Sequence, residues 1–165
     1  MARDGRGLLL LGPSGAGKSG LAAEMLMLGA TLVADDLLVL DVVEEMLCVS
    51  GLEDVEADPS GRAVGGGRQR QGEERRAAGA PGEAGPDFRR PMELRGIGIV
   101  QVAAIRSAPV RGAVSIGPSP GRLPQAEWME LLDRRVPLVR HPAGTGLAAK
   151  ALLWLASLPP ITPAR

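Results

Sequence analysis

Gly12-Pro13-Ser14-Gly15-Ala16-Gly17-Lys18-Ser19 decides how the rest of this chain is read. It satisfies the phosphate-loop pattern G-x-x-x-x-G-K-[ST] at every specified position. The glycines let the backbone curl into a nest whose N–H groups point inward at phosphate oxygens. Lys18 is placed to reach the β- and γ-phosphates, and Ser19 to put its hydroxyl on Mg²⁺. Such a loop needs a strand before it and a helix after it. Leu8-Leu9-Leu10-Leu11, bounded by Gly7 and Gly12, reads as a fully buried strand. From Ser19 to Leu28, the residues Leu21, Ala22, Met25, Leu26 and Leu28 recur at helical spacing, and Gly29 stands at the C-cap position. That helix aims the positive end of its dipole at the same anion.

Beyond the helix, Thr31-Leu32-Val33-Ala34 reads as a second strand and Leu37 to Val43 as a third. Strand, loop, helix, strand is the start of an α/β unit, with a right-handed crossover if the strands are parallel. The pair Asp35-Asp36 closes the second strand. A carboxylate at the C-terminal end of a buried parallel strand faces the crevice where ligands of open α/β sheets bind. There it supports Mg²⁺ or orients an attacking hydroxyl. The plainer reading of the same two residues is a surface turn.

The 165 residues fit one domain. Nineteen basic and 19 acidic residues give no net charge, so the whole molecule has no electrostatic case for nucleic acid or an anionic membrane. A single cysteine, Cys48, excludes an intramolecular disulfide and a cysteine-based zinc site. His141 is the only histidine; it reads as a loop residue rather than a catalyst. No apolar run reaches the ~18–20 residues that span a bilayer, and the cytoplasm is the simplest location. Aromatic residues make up 2% of the chain, so the core is built from aliphatic side chains and Met.

Residues 61–90 differ from the rest. They hold eight Gly, seven Arg, four acids and only Val64 among Leu, Ile and Val. Such a stretch cannot bury enough apolar area to offset its ordering entropy and reads as a disordered insertion. Its arginines are mixed with acids and lack interleaved aromatics, which argues against a nucleic-acid role. Order is expected again from residue 92. A strand is expected within Met92 to Ala104, through Ile97 to Val102, and another over Val110 to Ile116. A helix is expected over Gln125 to Arg134 with Trp128, Leu131 and Leu132 on one face. A terminal helix is expected over Leu147 to Leu158, stopped by Pro159-Pro160.

Three blocks together resemble the HPr kinase/phosphorylase family. They are Gly12 to Ser19, then Gly29-Ala30-Thr31-Leu32-Val33-Ala34-Asp35-Asp36, then Glu93-Leu94-Arg95-Gly96-Ile97-Gly98-Ile99. The third is the most discriminating, because few other phosphate-loop proteins carry it. Arg122-Leu123-Pro124 resembles the family's mobile arginine loop, and Val136-Pro137-Leu138 with Pro142 to Ala149 its closing segment. The resemblance covers about two thirds of the chain and concerns the catalytic domain, as in short single-domain members.

The resemblance implies one phosphate-loop kinase domain over residues 1–165, of α/β class, with a mixed sheet and flanking helices. It implies an ATP- and Mg²⁺-dependent serine kinase acting on HPr, a small carrier of the sugar phosphotransferase system, with homo-oligomers as the family's habit. Carried over by motif, Lys18 holds the phosphates, while Ser19 and Glu93 serve Mg²⁺. One of Asp35 and Asp36, with Asp36 preferred, is the base that takes the serine proton, and Arg122 steadies the transferred phosphoryl group. On the residues alone, Glu93-Leu94-Arg95 also reads as an exposed strand-edge ion pair, and Arg122 as an ordinary loop arginine.

The sequence departs from the family at several points. No histidine precedes the loop in residues 1–11, and Gly20 stands where many members have an acid. The 61–90 insertion is expected to displace the Glu93 segment. The Arg140 to Gly146 stretch lacks the basic pattern linked to phosphorolysis, so the reverse reaction is not expected. A small-molecule kinase and a nucleotide-binding regulatory module without transfer both stay open at this point.

Overall fold

The structure is a computed structural model that describes residues 1–52, 54, 87–118, 121–123 and 125–159. Nine strands are described: β1 (Ala2–Arg3), β2 (Arg6–Leu11), β3 (Leu38–Val43), β4 (Met46–Gly51), β5 (Arg89–Leu94), β6 (Gly98–Ala103), β7 (Ser107–Ile116), β8 (Glu127–Leu131) and β9 (Arg134–His141). Two helices are delimited among the described residues, α1 (Lys18–Met27) and α2 (Leu147–Ser157).

β7 is the spine of the main sheet. It pairs in parallel with β2 and β9 and antiparallel with β4. The order is β1-β2-β7-β4-β3, with β9 on β7 and β8 on β9. β5 and β6 form a separate antiparallel hairpin.

The leucine run of β2 explains how this sheet is buried on both faces. Successive side chains of a strand point to opposite sides. Leu8 therefore packs with Leu21, Ala22 and Met25 of α1, Leu147, Ala151 and Leu155 of α2, and Met92 of the hairpin. Leu9 packs on the other side with Leu47 and Val49 of β4, Ala113 of β7, and Val136 and Leu138 of β9. Each fully buried Leu contributes about 1.5–3 kcal/mol, so both layers are held by one strand.

α1 follows the loop as expected and ends at Gly29, whose φ of 86° lets the chain reverse while its N–H reaches Leu26 O. The expected strand over Thr31 to Ala34 does not form. Thr31 makes a single antiparallel bridge to Ala2, and Leu32 a single parallel bridge to Ala104. β1, the neighbour on one side, is only two residues long, and Val33 turns into the second core. The expected crossover from β2 to a neighbouring strand is replaced accordingly. β2's parallel partner is β7, and the chain after α1 enters the antiparallel hairpin β3–β4.

The strand expected through Ile97 to Val102 is present as β6, one residue further on, while Ile97 itself lies in the turn from β5, closed by Ile97 N–H on Leu94 O at 2.9 Å and by Gly96 at φ 81°. Another expectation is corrected. The helix expected over Gln125 to Arg134 is the strand β8 and its turn into β9. Leu132 and Asp133 adopt φ 47° and 59°, which matches the twist of a two-residue hairpin turn. Met129 and Leu131 pack inward while Trp128 and Glu130 are exposed, so pairing along β9 outweighs the helical spacing. Glu44 and Glu45 make the same kind of turn between β3 and β4, at φ 48° and 67°.

Most of the 61–90 insertion lies outside the described residues. Its end is ordered and its boundary shifts, because Arg89 and Arg90 open β5. The Glu93 segment lies within β5, with its backbone N–H on Asp35. Arg90 pairs with Asp54, which also holds Arg106 at 3.3 Å, and Phe88 lies between the two guanidiniums at 5.0 and 4.8 Å. This cluster fixes the base of the hairpin where the chain re-enters the fold.

Candidate functional site

The parallel strands β2, β7 and β9 reach the same edge of the sheet. Leu11 lies opposite Ser115, and Ile116 opposite His141. The phosphate loop, the 117–126 connection and the 142–146 segment all leave from that edge. It is the carboxyl edge, where open α/β sheets bind ligands.

Close packing dictates the loop's composition. A Cβ on Gly12, whose φ is 147°, would lie 3.1 Å from Ile116 O and 3.2 Å from the Ala16 methyl. Gly15 and Gly17 have φ of 81° and 95°, and Gly17 is the N-cap of α1. No side chain caps this helix and its first turn holds no acid. The amides of Lys18, Ser19 and Gly20 have no helical carbonyl to reach back to; the ladder starts with Leu21 N–H on Gly17 O at 2.9 Å. Lys18 Nζ donates to Gly12 O at 2.9 Å and to Pro13 O at 3.0 Å, which holds the ammonium across the mouth of the loop. Inward amides, a helix N-terminus and a fixed ammonium suit a polyphosphate. The 142–146 segment comes close from the other side: a Cβ on Gly17 would lie 3.6 Å from the Ala143 methyl.

The acids come from the chain that follows α1. Asp35 Oδ2 accepts the Glu93 N–H at 3.0 Å, so the hairpin β5–β6 holds this carboxylate by its backbone. Asp36 is exposed and lines a shallow cleft with Ala34, Asp35, Leu37, Leu52, Arg90 and Pro91. The hairpin seats itself on α1 through Met92, which is 1% exposed, with Leu94 and Val100 beside it. Alternation along β5 then puts the Glu93 side chain on the opposite, exposed face, across from Ile99.

The structure therefore gathers some of the expected residues and separates others. Gly12 to Ser19 form one nest, and the Glu93 backbone ties Asp35 to the hairpin. Among the described residues, the Glu93 carboxylate makes no hydrogen bond or ion pair, and it does not pair with Arg95. Arg122 is exposed in the β7–β8 connection and has no such partner either. His141 ends β9, with its Nδ1 2.7 Å from Pro142 O. Sequence reasoning missed Arg95. Its Nη2 donates to Ser14 Oγ at 3.4 Å from the turn of the hairpin, a contact that spans 81 positions.

Among the described residues, no three of His, Cys, Asp and Glu cluster as a metal cage. Mg²⁺ does not require one, since it keeps several waters and takes phosphate oxygens with one or two protein ligands. The Ser19 hydroxyl, in the first turn of α1, and the exposed carboxylates of Asp35 and Asp36 are oxygen donors of the kind Mg²⁺ takes.

A search of solved structures finds the HPr(Ser) kinase/phosphatase from Coxiella burnetii at 19% identity and a TM-score of 0.57. The match covers 91% of this chain and 79% of that one. The chain has the fold of a phosphate-loop kinase domain. Within that fold, the mixed sheet with flanking helices that the resemblance implies is present. The family resemblance carried by the three sequence blocks is matched at the level of fold. No protein-family model matches the sequence, and a search of curated proteins finds no match. No helix among the described residues is long and apolar enough to cross a membrane.

Proposed function

We propose that this chain is an ATP- and Mg²⁺-dependent protein kinase that phosphorylates a serine of a small HPr-like phosphocarrier in the cytoplasm. The observation that carries this reading is the intact phosphate loop at the carboxyl edge of the sheet, linked through one hairpin to the Asp35–Asp36 pair.

In this reading the loop amides and Lys18 hold the phosphate chain in line with the acceptor. The Ser19 hydroxyl and a carboxylate would hold Mg²⁺, which would supply charge neutralisation at the phosphate oxygens. Asp36, unencumbered in its cleft, takes the proton of the attacking serine hydroxyl. The serine oxygen–phosphorus bond forms as the bond from the γ-phosphorus to the bridging oxygen breaks, leaving ADP. Asp35 keeps its place through the Glu93 amide and fixes the strand end from which Asp36 projects. Glu93 and Arg122 join the site by resemblance, each approaching from a surface segment on nucleotide or acceptor binding.

Transfer of labelled phosphate from γ-labelled ATP to a purified HPr-like protein tests this. Label on serine, lost in Lys18→Ala and Asp36→Asn, supports the kinase. A second reading, a nucleotide-binding regulatory module, is favoured by the lack of any contact from the Glu93 carboxylate or Arg122 to the loop. Tight MgATP binding with no labelled product would select it.

A further inference from the structure

We propose that Arg95 binds the terminal phosphate of the nucleotide and is the residue by which the loop distinguishes a tri- from a diphosphate. The inference rests on the nucleotide-binding reading above and adds to it a residue and a selectivity.

Two cations meet at one end of the loop. Lys18 Nζ sits on the carbonyls of Gly12 and Pro13, and Arg95 Nη2 on the hydroxyl of the next residue, Ser14. Arg95 Nη1 lies 4.0 Å from where a Cβ of Gly15 would be, so the guanidinium covers the rim formed by residues 14 and 15. The amides of α1 serve the other end of the nest. A phosphate chain that lies with its inner groups on those amides brings its last phosphate between Lys18 and Arg95.

Arg95 is also available. It is exposed and has no carboxylate partner among the described residues; its single polar contact is a long one to a neutral hydroxyl. An arginine fork exchanges such a contact for two charge-assisted bonds to phosphate oxygens. The turn that presents it is built for the purpose. Gly96 and Gly98 take φ of 81° and 123°, and Ile97 N–H closes on Leu94 O. Because the Glu93 amide on the same strand holds Asp35, the residue that feels the last phosphate and the residue that places the acid pair move as one hairpin.

Isothermal titration with MgATP and MgADP on the wild-type chain, Arg95→Ala and Arg95→Lys reads this directly. Arg95→Ala should weaken ATP by about 10- to 100-fold, the range expected for hydrogen bonds to a charged group, and ADP by less than about threefold. Arg95→Lys, with the charge but not the fork, should fall between. Unchanged ATP affinity in Arg95→Ala overturns the proposal, and so does an equal loss for both nucleotides, which would mark a merely structural role. Circular dichroism checks folding; if the alanine variant is unfolded, the lysine variant and Arg95→Gln supply the ATP-to-ADP comparison in its place. Wild-type chain that binds neither nucleotide defeats both readings. The predicted ratio without phosphate transfer to any acceptor defeats the kinase alone and leaves Arg95 in place.

Discussion

Gly12 shows how little freedom the loop has. A methyl there would press on both Ile116 O and Ala16, so Gly12→Ala should reduce MgATP affinity at least about tenfold and also lower the thermal midpoint, measured by titration and calorimetry on the same sample. Lys18→Ala should lower phosphate transfer by about 100-fold or more, the scale for removing one charge-stabilising donor from a transfer site. The loop was legible in the sequence because eight consecutive residues carry its whole geometry. Arg95 was not, since nothing near it in the chain indicates Ser14, 81 positions earlier. Asp35 lies between these cases. Its position at a strand end was misread, as Thr31 to Ala34 form only bridges, yet its nearness to Glu93 is real and comes from a backbone amide that no side-chain pattern encodes.

At the scale of elements, α2 rests on β7 through one close fit. A Cβ on Gly112 would lie 2.8 Å from two ring carbons of Trp154 and 3.2 Å from Leu158 Cδ1. Gly112→Ala should therefore cost about 1–3 kcal/mol in urea unfolding and shift the tryptophan emission, while Met92→Ala, which unseats the hairpin from α1, should cost about 2–5 kcal/mol. Losing the hairpin's seat should also reduce transfer more than nucleotide binding, because Asp35 depends on Glu93. The helices were read well from sequence, since their apolar spacing and caps are local. The β8–β9 hairpin was not. Trp128, Leu131 and Leu132 fit a helix face by spacing, and a turn made of Leu-Asp lacks the glycine that marks most two-residue hairpins. Only the ladder to β9, which packs Met129 and Leu131 inward, decides between the two.

For the whole molecule, Cys48 is a natural reporter. It is 6% exposed, on β4 between Leu47 and Val49, and burial raises its thiol pKa, with Asp41 and Glu44 adding to the shift. A raised pKa leaves less thiolate at neutral pH. Alkylation should therefore be suppressed about 100-fold or more in the folded chain, recover in urea, and in the folded state still rise with pH beyond the point where a free thiol levels off. A fast reaction under native conditions would mean that the β3–β4 hairpin opens independently of the rest. The mixed sheet with flanking helices was expected from the resemblance, and β2, α1 and α2 within it from local apolar patterning. The long-range choice of β7 as spine was not, because β2 and its parallel partner are separated by nearly a hundred residues.

The Asp54–Arg90 ion pair carries a consequence for how this fold tolerates change. These two residues stand 36 positions apart in sequence and touch in space. The chain therefore leaves the described fold and re-enters it at one place, held by a buried guanidinium. That place is a socket: a reporter or recruiting domain spliced between the two residues, with its own ends close together, should ride on the fold without disturbing the nest at the opposite end of the hairpin.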